Sequence, residues 1–285
     1  MINGTRYRLS MEIDQQTALA RDIARTQTEI STGKRIQAPS DDPVAAARIS
    51  SIARSQANDA VFASNLNLAA GLAARADTAL ASVGTALDRA NELMVQGATG
   101  TLSDGDRATI AQELRSIAGE IGALKDTKDV RGGRLFVSGS SLRIPVASGI
   151  SLEAVDTREN VFESVPTASG PQDIAAIVSA AADALSLADP TARAAAVTTS
   201  LDNVAAAGSH IANARGREGA LAARIDQLIS RQADNGLQLA EERSNLESTD
   251  VTAAIAKLQS KQLTLQAAQA VFSRINASTL FDVLR

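Results

Sequence analysis

A chain of 285 residues that is 45% hydrophobic but only 2% aromatic, with no Trp and one Tyr, builds its interior from Ala, Leu, Ile and Val. That suits thin helix-on-helix seams and excludes a thick, aromatic-filled core. The 28 basic and 32 acidic residues are well mixed and leave a net charge of −4, which excludes a basic nucleic-acid surface and a polybasic membrane anchor.

Cysteine is absent, so neither a disulfide nor a Cys-containing metal site is available. Residues 1–31 are amphipathic and hold no apolar h-region, so no Sec leader is expected. No run of about 18 apolar residues occurs, so no membrane span is expected.

All six prolines lie between Pro39 and Pro190, which leaves 1–38, 44–144 and 191–285 free for long helices. The first helix is expected from about Ser10 to Ser31. In it Leu9, Ile13, Gln16, Ala20, Ile23, Gln27 and Ile30 step 4-3-4-3-4-3. This is a coiled-coil seam with two glutamines in it, too narrow to stabilise a lone helix. A break at 31–43 follows. Gly33 suits a helix C-cap, and Asp42 followed by Pro43 suits an N-cap and first helical position. The next helix should run from Pro43 to about Gln96, on the order of 80 Å at 1.5 Å per residue.

Gly97 to Gly105 reads as a turn, with Ser103 and Asp106 as a capping pair for a third helix. There Ile110, Leu114, Ile117, Ile121 and Leu124 form an uninterrupted apolar stripe, expected to pack against long helices at 44–96 and 200–246. After Gly132-Gly133, the segments Arg134–Ser138, Leu142–Val146, Ile150–Val155 and Val161–Val165 read as short strands. Helical sequence resumes at Gln172–Leu187 and Thr191–Ala207 and continues to Leu246. A dip at Ser244–Asp250 precedes a last helix, in which Val251, Ile255, Leu258, Gln262, Leu265, Gln269 and Phe272 again step 4-3-4-3-4-3. The two terminal stripes match, so the chain ends are expected to pair. The fold class is mainly α: a long antiparallel helical bundle or coiled coil made by both ends, with a small β-containing central insert.

No segment carries the signature of a catalytic or cofactor site. Gly33-Lys34 lacks the upstream glycine of a phosphate loop, has Arg35 where Ser or Thr belongs, and follows a helix rather than a strand. Arg131-Gly132-Gly133-Arg134 is a single unit leading into apolar sequence, which suits a turn better than an RNA-binding tail. His210 is the only histidine and has no G-x-S-x-G nucleophile to serve. The neighbouring carboxylates Asp41-Asp42 and Glu241-Glu242 do not converge on one point along a helix. No cofactor or metal is expected.

Residues 31–47, Ser-Thr-Gly-Lys-Arg-Ile-Gln-Ala-Pro-Ser-Asp-Asp-Pro-Val-Ala-Ala-Ala, resemble a signature of the flagellin superfamily. The Ser40-Asp41-Asp42-Pro43 version is similar to that of the hook-associated protein 3 family, the hook–filament junction proteins. Three further stretches are similar to the same family: Asn91-Glu92-Leu93 through Gly100-Thr101-Leu102-Ser103; Arg131 to Gly139; and Leu265-Gln266-Ala267-Ala268 through Leu280-Phe281-Asp282-Val283-Leu284. The resemblance covers roughly 1–140 and 195–285. It departs from the family at Val137 and Ser138, and in a short insert at 140–190.

The resemblance implies a terminal coiled-coil polymerisation domain (1–40 with 245–285), a long-helix domain (41–140 with 191–244) and a solvent-facing insert (141–190). It implies a structural subunit rather than an enzyme, exported through the flagellar type III apparatus to an extracellular place in the flagellum. Its partners would be copies of itself in a ring or tube, a hook-side junction subunit, filament flagellin and an export chaperone. No nucleic acid and no membrane are expected among them. The assembly seams would be Leu9, Ile13, Ile23, Ile30, Ile255, Leu258, Leu265 and Phe272, then Leu280, Phe281 and Leu284. The helix break would rest on Gly33, Arg35, Pro39, Ser40, Asp41, Asp42 and Pro43. Filament flagellin is the alternative within the superfamily, and a cytosolic helical scaffold the alternative outside it.

Overall fold

The computed structural model describes the backbone of residues 2–100 and 102–282, with side chains at Tyr7, 9–100 and 102–274. Its elements in chain order are α1 (Ile2–Thr32), α2 (Pro43–Gly97), α3 (Asp104–Lys125), β1 (Arg143–Ala147), β2 (Ile150–Glu153), a one-turn π-helix (Glu159–Glu163), β3 (Val165–Thr167), β4 (Gly170–Gln172), α4 (Ile174–Leu185), α5 (Pro190–Glu247) and α6 (Val251–Asp282). The fold is mainly α with a small insert of short antiparallel strands. Two compact units result: Met1–Ala57 with Asn235–Arg285, and Asn58–Asp234.

The second unit holds the main core. Leu66, Ala69, Ala76, Leu80, Val83, Leu87, Ala90, Leu93 and Met94 of α2 join Val197, Val204, Ala207, Ile211, Ala214 and Ile225 of α5 in one buried cluster. Alanine at so many of these positions lets backbones approach closely. Gly97 shows the limit: a Cβ there would lie 2.7 Å from the Leu185 side chain. α3 begins on a complete capping box, with Asp106 N–H donating to Ser103 Oγ and Ser103 N–H to the Asp106 carboxylate. Its stripe at Ile110, Leu114, Ile117 and Ile121 is buried as expected, but the element packed most closely on it is α4, not the long helices. α4 fits because it is apolar on most sides, burying Ile174, Ile177, Val178, Ala181, Ala182 and Leu185. Arg89 of α2 reaches Glu113 of α3 at 2.7 Å.

The insert joins the same core. β1 and β2 form an antiparallel hairpin with buried Ile144 opposite buried Leu152, turning at Gly149 with φ 73°. β3 and β4 form a second hairpin, with Pro166 opposite Pro171. Two expected strands are corrected. Arg134–Ser138 makes only one bridge, Lys128 with Arg134, because the Asp129 carboxylate accepts the amides of Arg131 and Gly133, both at 2.8 Å, and folds the chain into a tight loop. Val161–Val165 is the end of the π-helix and the start of β3. Val161 and Phe162 are both buried, which neighbours on a strand facing one core cannot be. Lys125 at the end of α3 fastens this region, at 2.8 Å from Glu163 and 2.5 Å from Asp173. Burial pulls its amine down, but the hydrogen bonds to Asp173 and Glu163 more than offset this and hold it above its ordinary value.

Candidate assembly surface

The first unit is built on the pairing of the two chain ends. α1 and α6 run antiparallel, with Lys261 Nζ 2.8 Å from the Asp22 carboxylate. Where α1 stops, Gly33 takes φ 67°, the left-handed cap expected of it. The two helix breaks, 33–42 and 248–250, lie side by side. Arg35 N–H donates to Glu247 O at 2.7 Å, Thr249 N–H donates to Gly33 O at 3.0 Å, and Lys34 bridges Ser248.

The residues of the 31–43 break each hold part of this clasp. Pro39 and Ser40 are the middle of a turn closed by Asp41 N–H to Ala38 O at 3.0 Å. The Asp41 carboxylate accepts the amides of Gln37 and Ala38, both at 2.9 Å, and meets Arg25 of α1 at 2.8 Å. The Asp42 carboxylate caps α2 by accepting Ala45 N–H at 3.0 Å, and Pro43 is the first helical residue. Arg35 lies 3.4 Å from Asp42 and donates to Leu246 O at 3.3 Å. Glu247 receives Arg243 at 2.7 Å and Lys34 at 3.1 Å. Arg48 of α2 holds Glu242 of α5 through two bonds of 2.6 and 2.8 Å. Lys34, Arg35, Asp41 and Asp42 of the break are thus occupied in holding helix ends together, and Glu242 in holding α5 to α2.

These contacts have an acid limit. Hydrogen bonds from the Ala38 and Gln37 amides hold the Asp41 carboxyl below its ordinary 3.8, and the Ala45 amide does the same for Asp42. The Arg243 hydrogen bond, then Lys34, holds Glu247 below 4.5. A lowered carboxyl stabilises the folded state above its unfolded value and ceases to do so as pH falls through its folded value. The Gln37 and Ala38 amide resonances should therefore titrate with a midpoint below pH 3.8. A midpoint at or above 3.8 would count against the clasp.

The α1–α6 seam differs from the expected stripes by one position in each heptad. Apart from Glu29, which pairs with Arg25, the covered residues are Glu12, Gln16, Leu19, Ile23, Thr26 and Ile30 on α1, and Ala254, Leu258, Lys261, Leu265, Ala268 and Phe272 on α6. Ile23, Ile30, Leu258, Leu265 and Phe272 are thus in the intrachain seam. Leu9, Ile13 and Ile255 are not: they are 37%, 48% and 41% exposed. The reason is geometric. A 4-3 pattern allows the partner helix to dock on either side of the shared positions, and the side chosen places Thr26 and Ala254 in the tight contacts. Thr26 is buried with its hydroxyl bonded back to Asp22 O at 2.9 Å. Leu9, Ile13 and Ala20 remain on the open flank of α1, and Val251 and Ile255 on that of α6. Leu280 and Phe281 lie on α6 but their side chains, and all of Leu284, are outside the described residues. Sequence reading did not find Arg25, Arg48, Arg243, Asp22 and Lys261, which become visible as partners only once the antiparallel register is known.

His210 lies with its Nε2 2.9 Å from Asn160 O, away from any acidic cluster. Among the described residues no group of three or more His, Asp or Glu is placed to hold a metal, and no helix is long and apolar enough to cross a membrane.

Residues 10–140 match the bacterial flagellin N-terminal helical region. The flagellar hook-associated protein 3 of Escherichia coli is 26% identical over 90% of this chain and 90% of its own length. A flagellin of Listeria monocytogenes is 24% identical over 89% of this chain and 88% of its own. The solved structure of hook-associated protein 3 from Legionella pneumophila shares the fold with a TM-score of 0.64 at 15% identity, covering 70% of this chain and 98% of that one. With the paired ends and the clasp motif in place, these matches make the chain similar to bacterial flagellins over residues 10–140 and to hook-associated protein 3 over most of its length.

Proposed function

We propose that this chain is the subunit that joins the flagellar hook to the filament, and that its terminal helix pair is the part that assembles. The observation that carries this reading is the leftover apolar flank. Leu9, Ile13, Val251 and Ile255 continue the heptad pattern on both helices yet are left 37–48% exposed. Exposed apolar residues in coiled-coil register are what a neighbouring helix would cover. Contacts of this kind do not close within a pair, so they build a ring or tube. The partners are further copies of the chain, the hook-side junction subunit and filament flagellin. Before assembly the exposed flank is the surface an export chaperone would shield. The chain is a structural part without catalysis, exported by the flagellar type III route and working outside the cell.

Immunogold labelling of intact flagella tests this. Label confined to the hook–filament boundary is expected. Label along the whole filament would mean filament flagellin, and cytosolic label a helical scaffold. Deleting residues 278–285 should leave the Asn58–Asp234 unit folded and the cells without attached filaments. Normal filaments on that deletion would remove the terminal helices from the proposed role.

A further inference from the structure

One buried group takes no part in the terminal clasp. Glu218 of α5 is 4% exposed, beside Ala70, Ala73 and Ala74 of α2 and Ile225 of its own helix. Its carboxylate accepts a single hydrogen bond, from Asp156 N–H to Oε1 at 3.1 Å, and Oε2 has no partner. An ionised carboxylate taken out of water needs several donors, and the nearby cations are engaged elsewhere. Arg217 lies 3.2 Å from the Asp156 carboxylate, and Arg215 3.0 Å from Asp77 of α2. Asp226 lines the same groove. The charged neighbours are therefore Asp156 on the insert, Asp77 on α2, and Arg215, Arg217 and Asp226 on α5, with the His210 ring one turn and more before them.

The cover over Glu218 on one side is a loop. Residues 154–160 run from the end of β2 into the π-helix, and α5 holds them with three side chains: Glu218 on Asp156 N, Arg217 on the Asp156 carboxylate, and His210 on Asn160 O at 2.9 Å. The opposite wall is the α2 helix, fixed in the core. We propose that this loop is fastened to α5 by a proton-dependent latch, seated while Glu218 is protonated and released as it ionises. Release of residues 156–157, between the buried Val155 and the Arg158 ties to Val137 and Asp126, lets water reach the carboxylate at the cost of the exposed Arg217 contact, whereas moving α2 would open the core.

The sign follows from linkage. Burial, then the charges of Asp156 and Asp77, outweigh the Asp156 amide and Arg217 and raise the Glu218 carboxyl above its ordinary 4.5. The seated state binds the proton more tightly than the released one. It is favoured at low pH and loses ground as pH rises through the raised value.

Hydrogen exchange of the full chain, corrected for the intrinsic pH dependence of exchange, reads this directly. Protection of the amides at 156–160 should fall as pH is raised from the ordinary Glu range towards neutral and beyond, while those of the buried Val161 and Phe162 keep theirs. In Glu218→Gln, which cannot ionise, it should stay flat. Protection independent of pH in the native chain, or an equal fall in the variant, would overturn the latch. A second measurement needs no variant: the Glu218 carboxyl carbon and the Asp156 amide should titrate together, above the ordinary glutamate value of 4.5. A Glu218 midpoint in the ordinary range, or an Asp156 amide that ignores it, would overturn the proposal equally.

Discussion

Leu114→Ala should lower the melting temperature of the chain by on the order of 10 °C, while Leu265→Ala should leave it nearly unchanged. Leu114 is fully buried where α3 meets α4, in a cluster that also includes α2 and α5 residues. Removing its methyls deletes transfer energy and leaves a cavity that fixed neighbours cannot fill, which costs roughly 2–5 kcal/mol. Leu265 sits half-covered in a seam whose other members include Gln16, Thr26, Ala254, Lys261 and Ala268. Such a thin seam already leaves space around each side chain, so truncation removes less. Its full cost should appear when neighbouring subunits close over the pair. Circular dichroism melts of the two variants decide the matter. Equal losses would mean that the terminal pair is as firmly packed as the central core, and the exposed-flank argument for assembly would fail.

The helical part of the fold was legible in the sequence because its signals are local and redundant. Proline placement, the Ser103–Asp106 box, Gly33 and Asp42-Pro43 each mark a helix end, and the structure stops the helices within a few residues of them. The insert was less legible because its signals are short. Arg134–Ser138 has the apolar character of a strand, but whether it pairs is decided by the Asp129 turn, a side-chain effect that composition does not carry. At Val161–Phe162 the burial of two neighbours depends on a π-helix, for which no propensity rule gives warning. α5, expected from Thr191 to Leu246, is one helix of 58 residues from Pro190 to Glu247.

The candidate surface was half legible for a different reason. A 4-3 repeat identifies the shared heptad positions, here Ile23, Ile30, Leu258, Leu265 and Phe272, but not on which side of them the partner lies. Choosing the more apolar side, with Ile13 and Ile255, is the natural reading of a self-sufficient pair. The structure takes the other side and spends the apolar positions outward. Leu19 and the shared Ile, Leu and Phe positions make the intrachain seam, while Leu9, Ile13, Val251 and Ile255 stay exposed on the flank, where a second helix can still dock.

The second large effect is expected at the only place where two aromatic rings are seen to meet among the described residues. The Phe136 and Phe162 rings lie 4.9 Å apart at 78°, edge to face, and both are fully buried. The chain has only five phenylalanines, and two of them meet here, giving the insert an anchor of its own away from the alanine-lined helix contacts. Phe162→Ala should cost roughly 3–5 kcal/mol. Phe136→Ala should cost a similar amount, and the double variant should fall short of the sum by about 0.5–1.5 kcal/mol, the edge-to-face term. Urea unfolding of the four proteins measures all three quantities. Single losses below about 1 kcal/mol would show that the insert contributes little to the core. The same variants also separate anchoring from assembly. Phe162 belongs to the Asn58–Asp234 unit, and the proposed assembling helices to the other. Cells making Phe162→Ala at a temperature where it folds should therefore still attach filaments, and filament loss under those conditions would assign the insert a part in the junction.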